Sequence, residues 1–191
     1  MQENLWEENL PRILNAQRLF VAAIMAAIGL GMGATAALAN CDDPPKVESG
    51  WDGCDMQGRS FAKADLRNSF MSNANFSGVD MSGAKLNGAT IRHSDLSKAV
   101  LDGADLSTST MADSDLSGAS LKGANLTDSL LDNANFSGAD LSGANLTGAI
   151  LDRANLQGAN LAGAILENAS LDETVWTDGR TCGETSYGSC D

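Results

Sequence analysis

The chain is poor in aromatic residues and nearly devoid of histidine. Aromatics make up 5% of its 191 residues, with one Tyr and one His. A single His and no Cys/His cluster argue against a zinc enzyme. They argue equally against a Ser/His/Asp hydrolase, whose general base is a His held by a carboxylate. Basic residues are scarce too: 12 Lys and Arg stand against 25 Asp and Glu, a net charge of −13. Nucleic-acid binders neutralise phosphate with clustered Lys and Arg, so this balance speaks against direct nucleic-acid binding. Pro is low at 3 residues, and charged residues at 19% fall below the roughly 25% usual in soluble domains. Gly, by contrast, is abundant at 20 residues.

Residues 19–39 carry no charge and follow Arg12 and Arg18. At 21 residues the run is long enough to span a bilayer. It closes on Ala37-Leu38-Ala39, the small-x-small pattern read by a signal peptidase. The expectation is a signal peptide over 1–39, cleaved between Ala39 and Asn40, in an exported periplasmic or secreted protein. The alternative is a retained anchor with the rest of the chain outside the cytoplasm, the only way this protein would touch a membrane. Lipid attachment at Cys41 is disfavoured, because Asn40 stands where a small residue is required. In an oxidising compartment the four cysteines, Cys41, Cys54, Cys182 and Cys190, favour disulfides. Their number alone leaves three pairings open.

The strongest signal is a repeat of five. Every fifth residue from Met56 to Trp176 is apolar, 25 in succession with no insertion. Two residues before each of these centres, from Ala64 to Thr174, stand 16 Ala, five Ser, Val79 and Thr174. Asp or Asn often precedes the centre; Ser, Thr or Asp often follows it, and then Gly. A period of five is neither 3.6 nor 2, so neither an amphipathic helix nor an ordinary strand produces it. A chain with this period must turn inward once per pentad, with one large and one small apolar side chain filling a narrow interior. Residues twenty apart repeat as well: Gly83, Gly103, Gly123, Gly143 and Gly163 form one column, and Ser77, Ser97, Ser117 and Ser137 another. Four pentads per lap would stack them.

This pattern, seen in runs such as Ala139-Asp140-Leu141-Ser142-Gly143, resembles the pentapeptide-repeat family with its A(D/N)LxX consensus. The resemblance covers residues 56–176. It implies an all-β fold, a right-handed quadrilateral parallel β-helix of about six coils, here preceded by the hydrophobic signal helix. At roughly 4.8 Å per coil such a rod is about 30 Å long. On that rod one cysteine pair precedes the first coil and the other follows the last, so Cys41–Cys54 and Cys182–Cys190 are the expected bridges. The chain then divides into a signal segment (1–39), an N-terminal cap (40–55), the β-helix (56–176) and a C-terminal cap (177–191). Trp51, Trp176 and Tyr187 are placed to cover the ends of the rod.

Catalytic, cofactor and metal residues are not apparent. His93 falls two residues after centre Ile91, an outward position, and the many Ser, Thr, Asp and Asn belong to the repeat. The calcium-binding nonapeptide motif is absent. Asp132, Asp152 and Asp172 share one column and could at most hold a cation weakly. One face departs from consensus. Phe70, Leu130 and Ile150 precede its centres, the three Asp follow them, and Gly is missing from Asn73 to Glu173. Phe70, Leu130, Asp132, Ile150, Asp152 and Asp172 therefore form the candidate partner face, for a protein partner or for self-association. The expected function is a non-catalytic structural or protein-interaction scaffold without cofactors. The alternatives are a weak cation or cell-surface binder, or DNA mimicry. The resemblance raises the last of these, because some family members shield gyrase by imitating duplex DNA. Within 56–176 there are 14 acidic and 8 basic residues, a modest density for a mimic.

Overall fold

The computed structural model describes residues 40–190. The signal or anchor segment and the cleavage residue Ala39 lie outside the described residues, and Asn40 is the first of them.

Each pentad is built around one tight turn. The centre carbonyl accepts a hydrogen bond from the amide three residues on, as from Ala64 to Phe61 and from Ala84 to Met81, both at 3.0 Å. From Gly53 to Glu173 the residue two places after the centre has positive φ whatever its identity: 62° at Gly83, 57° at Lys98, 54° at His93. That combination defines a type II turn. After four turns the chain lies beside itself, and parallel bridges join residues twenty apart: Gly50 to Phe70, Asp55 to Asn75, Ser60 to Asp80, Asp65 to Lys85. The turns consume most of each pentad, so a single residue per side pairs with the coil above and below. The β structure among the described residues is a stack of such bridges rather than a set of long strands.

The four sides are named by their centres. Side A carries Met71, Ile91, Met111, Leu131 and Leu151; side B Phe76, Leu96, Leu116, Phe136 and Leu156. Side C carries Met81, Leu101, Leu121 and Leu141; side D Leu66, Leu86, Leu106, Leu126 and Leu146. All of these side chains are fully buried. Alanines two positions earlier pack between them, because only a small side chain fits beside the turn of a narrow coil. Each buried Leu contributes about 2 kcal/mol over an exposed one.

The glycine columns record a backbone demand, not a lack of room. A Cβ added at Gly118, where φ is 64°, would come no closer than 3.8 Å to the Lys98 side chain. Left-handed backbone costs an L-residue about 1–2 kcal/mol, more with a β-branch. Gly118→Val is therefore expected to lose about 2 kcal/mol in chemical denaturation. Lys98→Gly is expected to move the other way by less, since glycine orders from a freer unfolded chain.

The stacked register reaches one pentad further toward the N-terminus than 56–176. Trp51, assigned to the cap by sequence, is fully buried as the first core centre, and Gly50 makes the first bridge. The Trp51 ring lies 4.9 Å from that of Phe61, which meets Phe76 edge-on at 6.5 Å. Ahead of this, Cys41 is bonded to Cys54 with Cα atoms 5.5 Å apart. The Arg59 guanidinium donates to the Cys41 carbonyl at 2.6 Å and to the Asp42 carboxylate at 3.1 Å. At the other end the chain doubles back, pairing Val175 with Thr181 and Ser170 with Tyr187 in antiparallel fashion. The Cys182–Cys190 bond, with Cα atoms 4.8 Å apart, closes this return. The cap covers sides A and B only. Leu161 and Leu166 of sides C and D stay half-buried, and Ile165 is exposed. Tyr187 does not cover the end with its ring, which is 61% exposed; only its backbone takes part. Trp176 is half-buried.

Candidate interaction face

Sides B, C and D use their outward polar groups on themselves. Asp or Asn before a centre accepts from the amide two residues on: Ser97 donates to Asp95 and Ser117 to Asp115, each at 2.9 Å. Where Asp or Asn stands, these Asx turns satisfy the backbone at the corner. Amide side chains then bridge coils, Asn135 to Asp115 at 3.0 Å, Asn155 to Asn135 at 3.3 Å, and Asn125 to Asp105 at 3.0 Å. The recurrent Asp and Asn are thus structural.

The same bonds set a pH dependence. The amide of Ser82 holds the Asp80 carboxyl below its usual range, as Ser142 does for Asp140 and the Arg67 guanidinium for Asp65. Folded values lie below unfolded ones in all three. Their stabilisation is complete above the unfolded value near 3.8 and is lost as pH falls through the folded values. The thermal midpoint is expected to be level from neutral pH down to about 5 and to decline below about 4. A midpoint rising on acidification would contradict this.

Side A is built differently. The column before its centres runs Phe70, Thr90, Thr110, Leu130, Ile150, Ser170, joined by successive bridges. Phe70 is 52% and Leu130 40% exposed, while Ile150 is half-buried rather than exposed. Leu130 and Ile150 are neighbours. Phe70 lies three coils from Leu130, about 14 Å at the stacking distance, so the apolar groups form two knobs and not one patch. No glycine relieves the positive φ between Asn73 and Glu173 on this side.

Buried hydroxyls flank this side, at positions where the repeat usually has alanine. Ser94 donates to the Met71 carbonyl at 2.7 Å and accepts from the Ala74 amide at 3.3 Å. It thereby inserts into the turn of the coil below. Ser114 does the same for the turn beginning at Ile91, at 2.6 and 3.1 Å. The signal was available: the Ser residues two before a centre fall only beside side A (Ser69, Ser109, Ser129) and side B (Ser94, Ser114).

The acidic column does not converge on a cation position. Asp152 accepts from the Ser170 hydroxyl at 2.6 Å and the Asp172 amide at 3.3 Å, and Asp172 accepts from the Ser186 amide at 3.1 Å. Among the described residues no group of three or more His, Cys, Asp or Glu is placed to hold a metal ion. His93 is exposed, with Nε2 at 3.9 Å from Asp113, whose carboxylate also faces Arg92 at 3.5 Å.

A four-sided solenoid of turn-linked pentads, capped at each end by a disulfide, defines a class of repeat protein. The model of the family described as pentapeptide repeats matches eight copies over residues 54–92, 91–128, 109–148 and 149–175. The chain belongs to the pentapeptide-repeat family. Among solved structures it is similar to a pentapeptide repeat protein of the Arabidopsis thaliana thylakoid lumen, at 28% identity and a TM-score of 0.52 over 54% of this chain and 72% of that one. It is also similar to QnrB1, a plasmid-mediated fluoroquinolone resistance protein, at 22% identity and a TM-score of 0.61 over 67% of this chain and 65% of that one. These neighbours give the helix its right hand. No curated protein matches.

Proposed function

We propose that the protein is a non-catalytic scaffold, exported from the cytoplasm, that binds protein through side A. One observation carries the reading: of the four sides, A combines exposed large apolar groups with a run of non-glycine residues held at positive φ. Strained backbone that projects side chains outward is retained where those side chains are used. A flat solenoid face displaying groups at a fixed pitch suits such recognition. Two disulfides and the thylakoid-lumen location of one structural neighbour support export. Imitation of DNA is less well supported. Lys85, Lys98, Lys122 and Arg153 interrupt the acidic surface, and the likeness to QnrB1 is one of fold.

A photo-crosslinking residue at Leu130, on side A, should yield protein adducts in cells; the same residue at Ser142, on side C, should not. Equal labelling from both sides would overturn the reading. Cell fractionation bears on location: recovery in the cytosol would revive DNA mimicry.

A further inference from the structure

We propose that side A is self-complementary and pairs with side A of a second copy, the two rods antiparallel. The inference rests on side A being the binding face. The two-fold axis crosses the face at Thr110 and Ala112 and lies in the plane of contact. Such an axis keeps each column opposite its own counterpart and reverses its order. Phe70 then meets Ile150 of the second copy, Thr90 meets Leu130, and Thr110 meets itself. In the next column Arg92 meets Asp132, Ser72 meets Asp152, and Ala112 meets Ala112. In the third, Asn73 meets Arg153.

Three features favour this occupant. The charges are complementary: the exposed Arg92 lies two coils before Asp132 in one column, so reversal about Ala112 superposes opposite signs twice. The apolar knobs match, since Phe70 and Ile150 are equidistant from Thr110 in the bridged column. Registers shifted by one coil put Phe70 against Ser170, or Arg92 against Ala112, and lose one match or the other. Both rods have the same rise, so one matched coil matches its neighbours. The axis itself passes small groups, the half-buried Thr110 and the buried Ala112. Asp113 would face Asp113, each compensated within its own chain by Arg92. Because the face is one pentad wide, the contact falls at the low end of interface size, below about 1,200 Å² in total, and the dimer should be weak.

The test uses protein recovered from expression of the full chain. Sedimentation up to about 200 μM should show a reversible dimer, the range expected of a micromolar contact. Arg92→Asp or Asp132→Arg should each weaken it about tenfold, and the two together should restore it. Unchanged thermal midpoints serve as the folding control. Thr110→Cys should form a copy-to-copy disulfide on mild oxidation and Thr90→Cys should not. A mixture of Thr90→Cys and Leu130→Cys should cross-link. A monomer at every concentration, a dimer indifferent to both charge swaps, or cross-linking at Thr90→Cys in place of Thr110→Cys overturns the proposal. If the chain is monomeric but the Leu130 photo-probe labels a different protein, self-pairing falls and the side-A reading stands. If it is monomeric and no adduct forms, both fall.

Discussion

Leu126→Asp is expected to lower the thermal midpoint by about 10 °C or more, while Leu130→Asp, four residues on, leaves it within about 2 °C. Leu126 is fully buried in the side D column between Leu106 and Leu146. An unpaired carboxylate there has no donor within the stack and no water. Leaving a buried charge uncompensated costs about 3–5 kcal/mol. Leu130 precedes a centre instead of occupying one, and 40% of it is exposed. Its replacement removes a surface contact, and such changes stay within about 0.5 kcal/mol. Differential scanning calorimetry of the two variants separates inward from outward positions directly. Equal effects would remove the inward assignment on which the fold rests.

Loss of the N-terminal disulfide should be the next largest effect. Cys41–Cys54 spans 13 residues, and closing a loop of that size stabilises by about 3 kcal/mol on the chain-entropy account. The Cys182–Cys190 loop of 8 residues should give about 2.5 kcal/mol. Cys41→Ser/Cys54→Ser also frees the segment that places Asp42 and the Cys41 carbonyl on Arg59. In a solenoid each coil contacts only its neighbours, so the damage should stay local. Amide exchange should quicken in the coil holding Trp51, Met56 and Phe61, with protection around Leu106 and Leu121 unchanged. The two double mutants should add, because their sites share no partner. Uniformly faster exchange along the rod would instead mean that the ends control the whole stack.

Much of this architecture was legible because the repeat never slips. With a large apolar residue every five positions and a small one two before it, the inward face of each pentad follows from side-chain volume alone. The glycine column pointed to the turn, although Lys98 and His93 show that the turn imposes the φ and glycine merely suits it. The candidate face was visible as a break in that column. Three things were not legible. Trp51 read as a cap residue because Ser49 and Gly50 stand where Ala and Asp or Asn usually precede a centre, although Asp52-Gly53 follow it as in the repeat; its place as first centre depends on Gly50 pairing with Phe70 twenty residues on. Tyr187 read as a lid because large aromatics often cover open edges, yet only its backbone does so. Ser94 and Ser114 looked interchangeable with alanine until the coil below supplied a carbonyl and an amide for each hydroxyl.

Period, polarity and residue size along the chain by themselves determined which side chains point to the axis, how many residues make a lap and where the turns fall. These are local demands, repeated identically in every pentad. Stacking decided what no single pentad contains: where the first coil begins, which two sides the C-terminal cap covers, and that Ile150 is half-sheltered beside an exposed Leu130. Those outcomes depend on what lies one coil above or below, and that neighbour exists only once twenty residues have closed a lap.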